Sequence, residues 1–182
     1  MGLVGLDDGY HRIGSDPFTL PGGARDLTRR LRGRLPGPVT VWTAYGADGM
    51  PAGITVSSVL VVEGEPASVF GLIAPLSDFW EAVIASKRFV VNVLDAHHVR
   101  AAEQFALRYP GDPFDGLTVV RSDSGPLLSD ASTRFSSTLM AHFEAGYSLM
   151  VQGTLDEIEL ADNPVRPLVH YRGRYLTVAP PR

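Results

Sequence analysis

From Val39 onward the chain is a series of short runs rich in β-branched and aromatic residues, each closed by Gly, Pro, Asn, Asp or a charged pair, and this constrains its fold most. The runs are "VTVWTAYG", "AGITVSSVLVV", "ASVFGLIAP", "RFVVNVL", "LTVV", "RFSSTLMAHFEAG", "YSLMVQGTLDEIEL", "PLVHY" and "RYLTV". The Asp-Gly of "ADGMP" suits a hairpin between the first two, and Arg172-Gly173 turns the last pair. "ASVFGLIAP" is apolar throughout, as expected of a strand buried on both faces. Such a series predicts a mainly β, antiparallel barrel carrying two or three short helices.

The helical stretches are few. "ARDLTRRLRGRL", residues 24–35, sets Leu27 and Leu31 four apart and ends at Gly33 and Pro36. Its five arginines form either a solvated face or a contact to a ligand phosphate. "SDFWEAVIAS" starts with Ser77 or Asp78 as N-cap, with Glu81 three residues after Asp78 to complete a capping box. "HHVRAAEQFALRY" carries an apolar stripe of Val99, Ala102, Phe105 and Tyr109. Residues 1–22 mix Gly, Pro and Asp without periodicity. We therefore expect an extension with a short helix over 1–35 and one domain over 36–182.

The 182 residues carry a formal net charge of -4, which gives no electrostatic reason to expect nucleic acid or a membrane surface as partner. No cysteine is present, so disulfides, thiolate nucleophiles and cysteine metal ligands are excluded. Without a basic leader or about 18 consecutive apolar residues, a cytoplasmic location is expected. Phosphate-loop, dinucleotide-fold and serine-hydrolase signatures are missing, and the histidines lack the H-E-x-x-H spacing, so no metal ligand set is expected. If the chain is an enzyme, a bound cofactor carries the chemistry.

"GITVSSVLVV", residues 53–62, reads as one strand with hydroxyls on both faces at its near end. Within about 25 residues comes the helix start at Ser77, where unpaired N–H groups and a positive dipole end suit an anion. Two readings stay open: the hydroxyls close barrel hydrogen bonds and Ser77 caps its helix, or together they hold an anionic heterocycle with Phe79 and Trp80 nearby for stacking.

The stretch "PVTVWTAYGADGMPAGITVSSVLVVEGEPASVFGLIAPLSDFW", followed by "RFVVNVL" and later "LVHYRGRY", resembles the flavin reductase-like family of FMN-binding, Greek-key split β-barrels. The resemblance spans residues 36–178. It implies FMN or FAD as flavin, NADH or NADPH as hydride donor, a homodimer, and a monooxygenase receiving reduced flavin. It also implies that Thr55, Val56, Ser57 and Ser58 lie along the flavin ring, that the loop from Ala74 lines the ribityl chain and that Ser77 holds the phosphate. His170 would stand near the nicotinamide groove, with Arg174 on the same hairpin. The chain departs from the family where Gly146, Tyr147 and Ser148 replace a common G-D-H, and where Phe79, beside Trp80, replaces a second hydroxyl at the helix start. These departures motivate the alternative of a protein that keeps FMN fixed, as sensor, store or redox enzyme on a small organic substrate.

Overall fold

The computed structural model describes residues 27–106, 111–162 and 166–178. The expected extension over 1–22 and the expected start and end of two helices, residues 24–26 and 107–109, lie outside them.

The chain opens with α1 (Leu27–Arg32), β1 (Gly37–Pro38), β2 (Thr40–Tyr45), β3 (Pro51–Val56), β4 (Leu60–Val62) and β5 (Ser68–Ile73). Then follow α2 (Asp78–Ser86), β6 (Arg88–Val93), α3 (Val99–Phe105), β7 (Val119–Val120) and β8 (Leu127–Leu128). Last come β9 (Thr133–Ala145), β10 (Ser148–Thr154), β11 (Glu157–Glu159), β12 (Leu168–Tyr171) and β13 (Arg174–Thr177).

One antiparallel sheet runs β3-β2-β6-β9-β10-β5-β4, with β11 also on β9, and β1-β12-β13 form a small second sheet. Strand β9 is long enough to change neighbours. Its first half lies between β6 and β11 and its second half pairs with β10, where the register shifts at Gln152/Gly153. A bulge of this kind increases local twist, and the sheet curls into a split barrel as the sequence predicts.

The run 53–62 is two strands, not one. Up to Val56 it pairs with β2; from Leu60 it pairs with β5. Both halves are β-formers, so local pattern does not reveal the change of partner.

Strand β2 divides the interior. Trp42 and Ala44 face one core and Val41 the other, as a strand buried on both sides requires. In the first core Trp42 stacks on Phe89 with centroids 5.0 Å apart, and Phe79 stands edge-on to both at 6.2 Å. Gly71 and Gly153 make room for this cluster: a Cβ at Gly71 would meet the Trp42 ring at 2.7 Å, and one at Gly153 the Phe89 ring at 2.6 Å. The second core holds Val39, Leu94, Ala102, Phe105, Leu168 and Tyr175, joining α3 to the final hairpin. That hairpin turns through Arg172 and Gly173, both at positive φ, as expected of a two-residue turn.

Candidate functional site

The predicted residues meet where the chain leaves β3. Ser57, Ser58 and Val59 lie between strands, with both serines exposed. Ser58 Oγ accepts from the Leu72 N–H at 3.0 Å, so its hydroxyl occupies part of the β5 edge that β4 leaves uncovered. Two residues further along, the Ala74 carbonyl accepts from Ser77 Oγ at 2.8 Å. Hydroxyls thus meet β5 at Leu72 and just past its end at Ala74, bringing Ser58, Ala74 and Ser77 together along one polar stretch that Ser57 continues.

At the other end of this stretch, Thr55 and Ser57 form a notch of about 140 Å³ with Val39, Ala106, His170 and Tyr175. His170 and Tyr175 are cross-strand partners on the last hairpin, their rings 5.8 Å apart. Both Thr55 Oγ1 and the Tyr175 hydroxyl donate to the Ala102 carbonyl, at 2.6 and 3.3 Å, fixing the notch wall to α3. Replacing Thr55 by Val is expected to lower stability by about 1 kcal/mol, as for one neutral hydrogen bond, since Tyr175 still satisfies the carbonyl; urea unfolding checks this.

The notch is smaller than pockets of about 300–1,000 Å³ that enclose drug-sized ligands. A large planar ligand would therefore lie across an open groove, one end in the notch. The donor set suits such a ligand: main-chain N–H groups of residues between strands, hydroxyls, and a helix start. Among the described residues, no acidic side chain lines the notch. Asp78 instead joins Asp48 and Glu81 around a separate concavity of about 490 Å³.

Ser77 is the N-cap of α2. Its Oγ accepts from the Trp80 N–H at 3.2 Å, so position N3 is Trp80 and the expected Asp78/Glu81 capping box does not form. The first-turn amides before Trp80 precede the helical ladder, at the positive end of α2.

Four predicted residues stand elsewhere. Phe79 is 0% exposed, edge-on to the Trp42–Phe89 stack, so its ring cannot stack on a ligand, and the expectation of aromatic surface there is corrected. The reason is the stripe Phe79, Ala82, Val83, which turns this face of α2 inward. Val56 is also a core residue, its carbonyl accepting from Thr40 Oγ1 at 2.8 Å. Trp80 is half-buried, edge-on to His142 at 4.9 Å. Arg174 is exposed at the hairpin and outside the notch wall.

Val39, Ala106 and Tyr175 were not among the expected site residues. Tyr175 alone left a trace in the sequence, since a two-residue turn at 172–173 sets it opposite His170. Among the described residues, no helix is long and apolar enough to cross a membrane.

A family profile described as "Flavin reductase like domain" matches residues 32–179. The chain is 31% identical over 182 residues to the NADH-dependent FMN reductase AsuE2 of Streptomyces nodosus subsp. asukaensis, covering 98% of this chain and 95% of that protein. It is 29% identical over 154 residues to the reductase subunit HsaB of a flavin-dependent monooxygenase from Mycobacterium tuberculosis, covering 84% and 81%. Among solved structures it resembles the NADH:FAD oxidoreductase SgcE6 of Streptomyces globisporus, in complex with NAD and FAD fragments. That match has a TM-score of 0.76 and 26% identity, and covers 84% of this chain and 92% of that one.

Proposed function

The chain belongs to the flavin reductase-like family, and from that premise we propose that it reduces FMN or FAD with NADH or NADPH and passes the reduced flavin to a monooxygenase. The observation that carries this reading is the continuous edge from the His170 notch through Ser57 and Ser58 to the cap at Ser77. A bound flavin supplies the two-electron acceptor that no side chain here provides.

The chain's own residues do the holding and orienting. Main-chain N–H groups around Ser57 and Ser58 would face the carbonyl and nitrogen edge of the ring, favouring the negative charge that reduction brings. Ala74 and Ser77 would take the ribityl chain and phosphate, with the positive end of α2 behind them. His170, in the notch wall, would border the donor's nicotinamide, and Arg174 on the same hairpin would meet its phosphates in the open groove. The absence of a dinucleotide fold is consistent with a donor that lies in such a groove.

Residues 36–182 form the catalytic domain in this reading, with 1–35 as an appendage, and the protein works in the cytoplasm as a homodimer. Support for the dimer comes from one face of the sheet, where cross-strand partners Leu72, Met150 and Phe143 are all exposed, with Leu60 beside them. A patch of this kind marks an interaction surface. A second reading, of flavin retained as a fixed group, is favoured by Tyr147, which is 98% exposed at the turn where the family resemblance leads one to expect Asp-His.

The test is donor oxidation by purified protein with each flavin. Turnover of NADH or NADPH that requires added FMN or FAD supports the proposal, and no turnover with any pairing rejects it. Flavin that stays with the protein through desalting would favour the fixed group. His170→Ala is expected to lower turnover by about tenfold while leaving the flavin dissociation constant within twofold, the split expected of a residue serving the donor. A change confined to flavin affinity would make it a flavin contact.

A further inference from the structure

We propose that Asp95, His97, His98 and Asp130 form a binding site for a divalent transition ion of the zinc class, at the opposite end of α3 from the flavin edge. The sequence showed only two adjacent histidines. The turn between β6 and α3 folds both imidazoles side by side, with centroids 3.9 Å apart, and brings them against Asp130, 32 residues later in the turn after β8.

Asp95 is buried and faces the Nδ1 side of both rings. Its Oδ1 lies 2.5 Å from His97 Nδ1 and 3.0 Å from His98 Nδ1. Two donors to one tetrahedral zinc ion, with bonds of about 2.0–2.1 Å, lie about 3.3 Å apart. The 2.5 Å separation is too short for Asp95 and His97 to be co-ligands; it sets the carboxylate directly behind the His97 ring, closer than the about 2.7–2.9 Å of a charge-assisted N–H···O bond. The Asp95 N–H donates to His98 Nδ1 at 3.2 Å; ligation of an ion through Nε2 would place the His98 ring hydrogen on Nδ1 instead, 3.0 Å from Asp95 Oδ1, as we assign it for His97.

This tautomer leaves two Nε2 lone pairs facing a carboxylate. His98 Nε2 lies 3.2 Å from Asp130 Oδ1, and His97 Nε2 lies 3.7 Å from Asp130 Oδ2, separations close to those around one tetrahedral ion. His98 is 3% exposed, and among the described residues its Nε2 has no hydrogen-bond partner, the Asp130 Oδ1 contact at 3.2 Å falling outside hydrogen-bond alignment. A ligand of a tetrahedral ion points about 35° away from its neighbouring donor, so this misalignment fits an ion beside the contact. Asp95 then plays the part that carboxylates take behind metal-bound imidazoles, orienting the rings. His97 and Asp130, 60% and 59% exposed, leave a side open for entry and for a water ligand. A bound ion would fasten the start of α3, whose Ala102 carbonyl anchors Thr55 and Tyr175, to the β8–β9 turn.

Full-length protein stripped with a chelator and titrated with Zn²⁺ in a calorimeter at neutral pH tests the site without reference to flavin. One ion per chain at micromolar affinity or tighter is expected, together with the visible bands of tetrahedral cobalt when Co²⁺ replaces zinc. Asp130→Asn and His97→Ala alter exposed side chains and should leave the circular dichroism unchanged, and each should weaken Zn²⁺ binding at least about tenfold. Absence of binding by the stripped protein, or affinity unchanged in both variants, would overturn the proposal.

Discussion

Ser77→Asp is expected to weaken FMN binding at least about a hundredfold while leaving the fold intact. Aspartate is as good an N-cap as serine, so the bond Ser77 Oγ accepts from the Trp80 N–H has a replacement; only the bond it donates to the Ala74 carbonyl is lost, about 1 kcal/mol, and the fold should hold. Toward a phosphate at the same turn the substitution acts in the opposite sense. Two like charges about 4 Å apart near a protein surface repel by about 4 kcal/mol at an effective dielectric of about 20, and screening by salt trims this toward about 3 kcal/mol. Riboflavin, which lacks the phosphate, supplies the control, and its affinity should change little. Titration of both flavins by fluorescence quenching checks the pair of values. Equal affinity of FMN for both proteins would leave Ser77 a helix cap and nothing more.

The second large effect is on stability. Phe79→Ala should lower the unfolding free energy by about 3–5 kcal/mol, the range for truncating a fully buried aromatic, because its ring closes the cluster with Trp42 and Phe89. Urea unfolding measures this, and flavin titration of the folded variant separates packing from binding. A loss under about 1 kcal/mol together with a large fall in flavin affinity would return Phe79 to the ligand.

These two neighbours in sequence show what was legible and what was not. The order of strands could be read from turn chemistry, since Asp-Gly at 48–49 and Arg-Gly at 172–173 act locally and both hairpins form as expected. The start of α2 was legible as Ser77 or Asp78, and the structure puts the cap at Ser77 without the Asp78/Glu81 box. Phe79 was not assigned correctly, although its spacing to Ala82 and Val83 marks a buried helical stripe; the adjacent aromatics at 79 and 80 suggested a surface instead.

Other features depend on tertiary contacts that local pattern does not carry. The break at 57–59 arises because two equally β-prone halves choose different partners, and Ser58 serves the edge of a strand 14 residues away. Strand β8, a Leu-Leu pair, forms only by pairing with β7, while its Leu128 N–H donates to the buried Asn92 side chain. The notch depends on α3 reaching the final hairpin through Ala102 and Tyr175, a separation of 73 residues. The pairing of the His97–His98 doublet with Asp130 is likewise a product of the fold.

The most direct measurement is a crystal structure of the protein grown with FMN. The account predicts electron density for the flavin ring along Thr55 to Ser58, one end reaching the notch beside His170, with phosphate oxygens in hydrogen-bond contact with Ser77. Density for the ring at another surface, or a strip that stays bare at saturating FMN, would contradict it.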